Sequence, residues 1–147
     1  MVEDMSESEI LQLSFDENPN ADDTRILSDI LREHNLSQTN ASRSTFAIWL
    51  RNCEGQVIGG VLARIAWGLL YIETLAVPVQ YRGRGYGSQL LAAAEEEGIA
   101  RGCRHVHLHT MSFQAPAFYE KHGYTVFEVF EGVPKEYKRY LLKKELG

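Results

Sequence analysis

The stretch at residues 79–91, VQYRGRGYGSQLL, places glycines at 83, 85 and 87, interleaves Arg82 and Arg84, and runs into an apolar segment with helical spacing. Glycine lets the backbone take positive φ angles and lets a ligand approach main-chain N–H groups that a Cβ would shield. The first N–H groups of the helix that follows have no intrahelical partner and carry the positive end of its dipole. Together they form an anion cradle whose preferred guest is a phosphate or pyrophosphate, with the two arginines adding charge at the rim. A tight turn with no ligand is the alternative that the spacing alone leaves open.

The kind of phosphate narrows by elimination. A Walker loop is excluded because no Lys-Ser or Lys-Thr follows the last glycine. The dinucleotide pattern G-x-G-x-x-G matches at Gly83 and Gly85 but meets Ser88 at its third glycine. The strand about 20 residues on, HVHLHT, also offers no acidic residue for a ribose. Nicotinamide cofactors become a weak alternative.

Outward from the glycines, a helix is expected from about residue 87 to 101, with Leu90, Leu91 and Ala94 as its buried stripe and Gly102 ending it. RHVHLHTM then reads as a strand, QAPAFYEKH as a short helix stopped by Gly123, and YTVFEVFE and YKRYLLKKEL as two more strands. Before the glycines, TFAIWLRN, VIGGVLARIA and LLYIETLAV form an antiparallel meander joined by the turns CEGQ and WG. Gly59 and Gly60 suggest a bulge or a close backbone approach. Residues 21–35 carry Ile26, Leu27, Ile30 and Leu31 at helical spacing behind Asp22 and Asp23, and residues 9–15, EILQLSF, read as a first strand. The order β-α-β-β-β-α-β-α-β-β is that of an α/β domain on a mixed, mostly antiparallel sheet of about seven strands.

Composition bounds the function. The 147 residues fit one domain, 1–147, with a single core, and 44% hydrophobic and 24% charged residues are ordinary for a soluble globular protein. No apolar run approaches the roughly 20 residues of a membrane span. The acidic start MVEDMSESEIL does not read as a secretory leader, and Cys53 and Cys103 lie in unrelated contexts, so the expectation is a cytoplasmic protein with reduced thiols. The net charge of -5 argues against a nucleic-acid footprint but leaves room for a local anion site.

Arg82-Gly83-Arg84-Gly85-Tyr86-Gly87 resembles the Q/R-x-x-G-x-G/A acyl-CoA pyrophosphate loop of the GNAT superfamily of N-acetyltransferases. The strand YIETLAVPVQY before it is similar to that family's fourth strand. The family's motif N-x-x-A-x-x-F/L-Y-x-x-x-G-F/Y is matched by SFQAPAFYEKHGY, with Ala115, Phe118, Tyr119, Gly123 and Tyr124 in register. The likeness covers residues 69–124 firmly and the rest by element order. It departs at Ser112, which stands where the family commonly has Asn holding the pantetheine arm; neighbouring Gln114 is the candidate to take over that task.

The resemblance implies a single-domain GNAT-like fold with a splayed fourth and fifth strand pair, and direct transfer of an acetyl group from acetyl-CoA to a primary amine with no acyl-enzyme and no metal. It implies that main-chain groups of Leu75, Ala76 and Val77 bind pantetheine and the acetyl carbonyl, that the loop from Arg82 through Ser88 holds the pyrophosphate, and that Tyr119 protonates the leaving thiolate. A thiol near ~8.5 and a phenol near ~10 make that proton transfer modestly uphill unless the site tunes one of them. The other reading of Tyr119 is a buried aromatic with its hydroxyl satisfied elsewhere.

Glu73 is the first candidate for the base, because a carboxylate in an apolar strand is expensive without a role or a partner. Period-two alternation puts it on the face of Tyr71, Leu75 and Val77. It could take the amine's proton through a water, bind a cationic substrate, or simply pair with an arginine such as Arg64. His105, His107 and His109 alternate on the next strand. At ~3.3 Å per residue the outer two are about 13 Å apart, too far to share one ion; a metal would need two of the three plus an outside ligand, and no H-E-x-x-H or cysteine cluster supplies one, so no metal is expected. His109 remains an alternative base or substrate contact.

The acceptor is expected to be a small-molecule amine, with protein lysines or N-termini second. An acyl-CoA sensor without turnover and a nucleotide-binding protein are the competing classes. Homodimers are common in the family, and the C-terminal strands could pair across subunits or fold back on their own sheet.

Overall fold

The computed structural model describes residues 9–39, 43–132 and 134–147. It divides into two units, Met1–Asn40 and Ala41–Gly147. In the first, α1 spans Ala21–Gln38 and is opened by Asn20, whose side chain accepts from the Asp23 N–H at 2.8 Å while donating to the Asp23 carboxylate at 2.9 Å. This reciprocal cap, with Asp22 and Asp23 in the first turn, satisfies a helix end that would otherwise leave its donors open. Residues 9–15 form no strand. A strand exists through its ladder, and although Ile10, Leu13 and Phe15 give a partial alternation, no partner pairs with them among the described residues.

The second unit is a six-stranded sheet, one fewer than expected: β1 Arg43–Arg51, β2 Val57–Ala66, β3 Leu69–Ala76, β4 His105–Met111, β5 Thr125–Glu131 and β6 Lys138–Glu145, in the order β1-β2-β3-β4-β6-β5. Antiparallel pairs join β1 to β2, β2 to β3, β4 to β6 and β5 to β6, so the C-terminal strands fold back on their own sheet. The parallel pair β3/β4 requires a crossover, supplied by α2, Tyr86–Ala100. A short helix, α3 Pro116–Lys121, links β4 to β5.

The meander's turn chemistry follows from its residues. Trp67 and Gly68 both take positive φ, 50° and 76°, which is the hairpin geometry that lets β2 return as β3. The Arg43 guanidinium lies 4.8 Å from the centre of the Trp67 ring, covering the residue that carries the strain.

The core lies between the sheet and α2. Leu90, Leu91 and Ala94 are buried as expected, together with Gly98 and Glu95. They pack on Val61, Ala63, Leu70, Ile72, Val106, Leu108 and Leu142. Each fully buried leucine contributes about 2 kcal/mol relative to exposure. Glu95 meets Lys144 of β6 at 2.5 Å, so the helix's buried carboxylate is paired rather than stranded. Gly102, at φ 89°, ends the helix region as its position suggested. No helix among the described residues is long and apolar enough to cross a membrane.

Gly59 and Gly60 mark both a bulge and a close approach. Leu50 opposes Gly59 and Arg51 opposes Val57, leaving Ile58 as the extra residue. A Cβ at Gly60 would sit 2.5 Å from the Ile48 carbonyl oxygen, and one at Gly59 2.7 Å from that of Ala76. Backbone cannot yield as a side chain does. Gly60→Ala is therefore expected to lower unfolding free energy by at least about 2 kcal/mol, read as a melting point several degrees lower.

Candidate active site

The two strands at the centre of the sheet separate. β3 and β4 pair only from Leu69/His105 to Ile72/Leu108, while β3 continues to Ala76 and β4 continues to Met111 against β6. The β4-facing main-chain groups of residues 73–76 consequently have no ladder partner. Between the diverging ends opens a cleft of about 900 Å³, lined by Glu73, Leu75 and Ala76 of β3 and Val77 just after it, by Arg82, Gly83 and Gly85–Ser88, by His109 and Gln114, and by Phe118 and Tyr119 of α3. A second groove, of about 920 Å³, runs over the β4, β5 and β6 surface and is lined by neither Tyr119 nor any residue of the glycine stretch.

The three glycines serve different needs. Gly83 and Gly85 take φ of 75° and 86°, and Gly85 occupies the N-cap of α2 in left-handed geometry, so the turn that presents the helix's first N–H groups requires them. Gly87 lies within the helix. It faces the Phe118 ring where α3 meets the first turn of α2, and a Cβ there would meet that ring at 3.4 Å, an ordinary contact distance.

The arginines divide as well. Arg82 lines the cleft, yet its Nε donates to the Val77 carbonyl at 2.9 Å, fastening the loop to the end of β3. Arg84 lies outside the lining, with its guanidinium 5.7 Å from the Tyr81 ring centre.

Period-two reasoning placed Glu73 with Leu75 and Val77, and a bulge overturns this. Ala63 opposes Ile72 and Leu62 opposes Thr74, so Glu73 is the extra residue and the alternation changes phase there. Leu75 and Val77 pack their side chains partly against the core, and both residues still line the cleft. Glu73 stays on the Tyr71 side, where Arg64 grips its carboxylate through two hydrogen bonds of 2.9 Å. The expected alternative of an Arg64 pair is thus present, and Glu73 is among the residues that line the cleft.

Tyr119 is 8% exposed, and its ring meets Phe118 and Tyr124 edge to face at 5.1 and 5.8 Å. Burial pushes its phenol above the ordinary tyrosine value. Among the described residues no protein group hydrogen-bonds its hydroxyl, unlike the reading in which that hydroxyl is satisfied elsewhere. The phenol therefore stays protonated across the neutral range.

Ser112 and Gln114 part company. The Ser112 hydroxyl accepts from the Lys138 N–H at 3.0 Å and ties the end of β4 to β6, outside the cleft lining. Gln114 lines the cleft, and its Oε1 accepts from the Met111 N–H at 2.8 Å, which fixes the amide plane at the mouth of the splay. His107 stacks on Tyr71 at 4.9 Å with His109 5.6 Å from the same ring; burial, then the neighbouring His109, holds His107 below the usual histidine value. His122 escaped sequence reasoning: its Nε2 lies 2.9 Å from the Ser88 hydroxyl, a pairing of residues too distant in the chain for any local pattern to signal.

The family model described as "Acetyltransferase (GNAT) family" matches residues 7–124. An acetyltransferase of Agrobacterium fabrum is 37% identical over 71% of this chain and 77% of its own. The Blasticidin-S acetyltransferase of Streptomyces morookaense is 36% identical over 63% of this chain and 68% of its own. The crystal structure of an acetyltransferase from Bacillus cereus, 32% identical, superposes with a TM-score of 0.78 over 90% of this chain and 98% of that one. With its splayed strands, glycine-turned helix and matching family profile, the chain belongs to the GNAT family of acetyltransferases.

Proposed function

We propose that the cleft transfers the acetyl group of acetyl-CoA directly to a primary amine of a small molecule. The observation that carries this reading is that residues of the unpaired end of β3, the glycine-turned start of α2 and Tyr119, whose hydroxyl has no protein partner among the described residues, all line one cleft. The thioester supplies an activated acyl group and a thiolate leaving group. The N–H groups at the start of α2 hold the pyrophosphate, and Arg82 keeps that loop against Val77. Main chain of Leu75, Ala76 and Val77 aligns the pantetheine arm and offers a donor to the oxyanion that forms as the amine attacks the carbonyl. As the C–S bond breaks, the Tyr119 O–H protonates sulfur.

Glu73 takes the amine's proton through a water or draws in a cationic acceptor, and Arg64 holds the carboxylate in place for either task. Glu73→Gln is expected to lower kcat/KM for the amine by about 100-fold while leaving the KM for acetyl-CoA unchanged. An equal rise in both KM values would show that the Arg64 pair acts only to hold β2 to β3. The name of the Streptomyces relative supports a small-molecule acceptor and puts blasticidin S first in a test panel. Release of CoA thiol in the presence of blasticidin S, polyamines, aminoglycosides and lysine peptides tests the reading. Thiol release matched by acetylated amine supports it. Binding of acetyl-CoA with no release to any acceptor would favour a sensor.

A further inference from the structure

The cradle and the helix that carries Tyr119 are joined at a point the transfer chemistry leaves unused. Ser88 stands in the first turn of α2, and its hydroxyl lies 2.9 Å from Nε2 of His122, which caps the end of α3. The His122 main-chain N–H is bound by the Tyr119 and Glu120 carbonyls, and its half-buried ring lies 4.7 Å from that of Phe118. Phe118 in turn faces Gly87, so the imidazole is held from its own helix and from its neighbour.

The direction of this hydrogen bond decides what Ser88 can offer a ligand. A hydroxyl has one hydrogen and two lone pairs. When the imidazole proton sits on Nδ1, Nε2 accepts, the hydroxyl hydrogen is spent on it, and Ser88 shows an anion only lone pairs. When the proton sits on Nε2, the ring donates to Oγ and the hydroxyl hydrogen is free to turn to a phosphate oxygen. We propose that His122 is a positioning residue that sets Ser88 as a phosphate donor through Nε2–H, so that a pyrophosphate at the first turn of α2 selects the Nε2-protonated form of the ring. This rests on the acetyl-CoA reading of the cleft. A neutral ring suffices, because only the position of the proton changes.

The test pairs titration calorimetry of CoA with kinetics on acetyl-CoA and on S-acetylpantetheine, which has no pyrophosphate, using wild type, His122→Leu and His122→Gln. His122→Leu leaves the Ser88 hydroxyl free but without the Nε2–H that orients it, and is expected to raise the Kd for CoA by about threefold, with His122→Gln restoring most of it through its amide N–H. With S-acetylpantetheine, kcat/KM is expected to stay within about twofold in both variants, since no phosphate is there to be held. Nitrogen-15 NMR of the wild-type ring is expected to show Nε2 as the protonated nitrogen once CoA is bound. Unchanged CoA affinity in His122→Leu, equal losses with both donors, or an Nδ1-protonated ring in the complex would overturn the proposal alone. Failure of the wild type to bind CoA would overturn the acetyl-CoA reading and this inference with it.

Discussion

Tyr119→Phe is expected to lower kcat by about 100- to 1,000-fold while leaving the Kd for acetyl-CoA within about twofold, because general-acid groups contribute on that scale and the ring makes the packing. The ring, edge-on to Phe118 and Tyr124, is retained in phenylalanine, so the melting point should hold. The hydroxyl is the atom removed, and among the described residues it has no protein partner to orphan. The pH profile gives an independent check. Burial raises the Tyr119 phenol, so its deprotonated, inactive form gains population only above the ordinary tyrosine value of about 10. Wild-type kcat should therefore show no alkaline fall from this group below about pH 10. A fall in kcat matched by a fall in melting point would instead assign Tyr119 a packing role.

Gly85→Val is the second large effect. A β-branched residue at φ 86° opposes the left-handed region by more than the 1–2 kcal/mol that an ordinary L-residue loses there, so the loop must swing to relieve it. The N–H groups it presents swing with it. The Kd for acetyl-CoA is expected to rise at least tenfold, roughly 1.4 kcal/mol or more, in calorimetry. Gly87→Ala provides the contrast: its backbone is helical, and the new methyl would lie 3.4 Å from the Phe118 ring. It should shift affinity less and act through the seating of α3. Equal losses in the two variants would mean that bare backbone, and not the turn it permits, is what the cleft requires.

The contrast between these glycines shows where sequence reading reaches its limit. Gly83 and Gly85 declare themselves, because positive φ is a local property that the residue type alone announces. Gly87 looks identical in the chain, yet its backbone is helical and what it faces is a ring contributed by α3, after β4 has intervened. The same division runs through the fold. Helix α2, its buried stripe and its glycine stop follow from periodicity and capping, which are local. The bulge at Glu73 does not, since one extra residue reverses the phase of a strand without changing its composition. Leu75 and Val77 accordingly pack partly against the core while Glu73 stays beside Arg64. Residues 9–15 illustrate the complementary failure: apolar alternation is legible, but the partner that would make it a strand is not written in the segment. At the site, Tyr119 came from a motif in register, whereas the Ser88–His122 bond joins two helices and shows only once they are packed.

The proposed transfer depends first on the cleft between β3 and β4 holding acetyl-CoA. Titration calorimetry with acetyl-CoA, CoA, NAD and ATP, run in parallel on the wild type and on Gly85→Val, tests it most directly. Saturable one-to-one binding of both CoA species is expected, weakened in the variant, with NAD and ATP far weaker. Absence of CoA binding, or tighter binding of NAD or ATP, would contradict it.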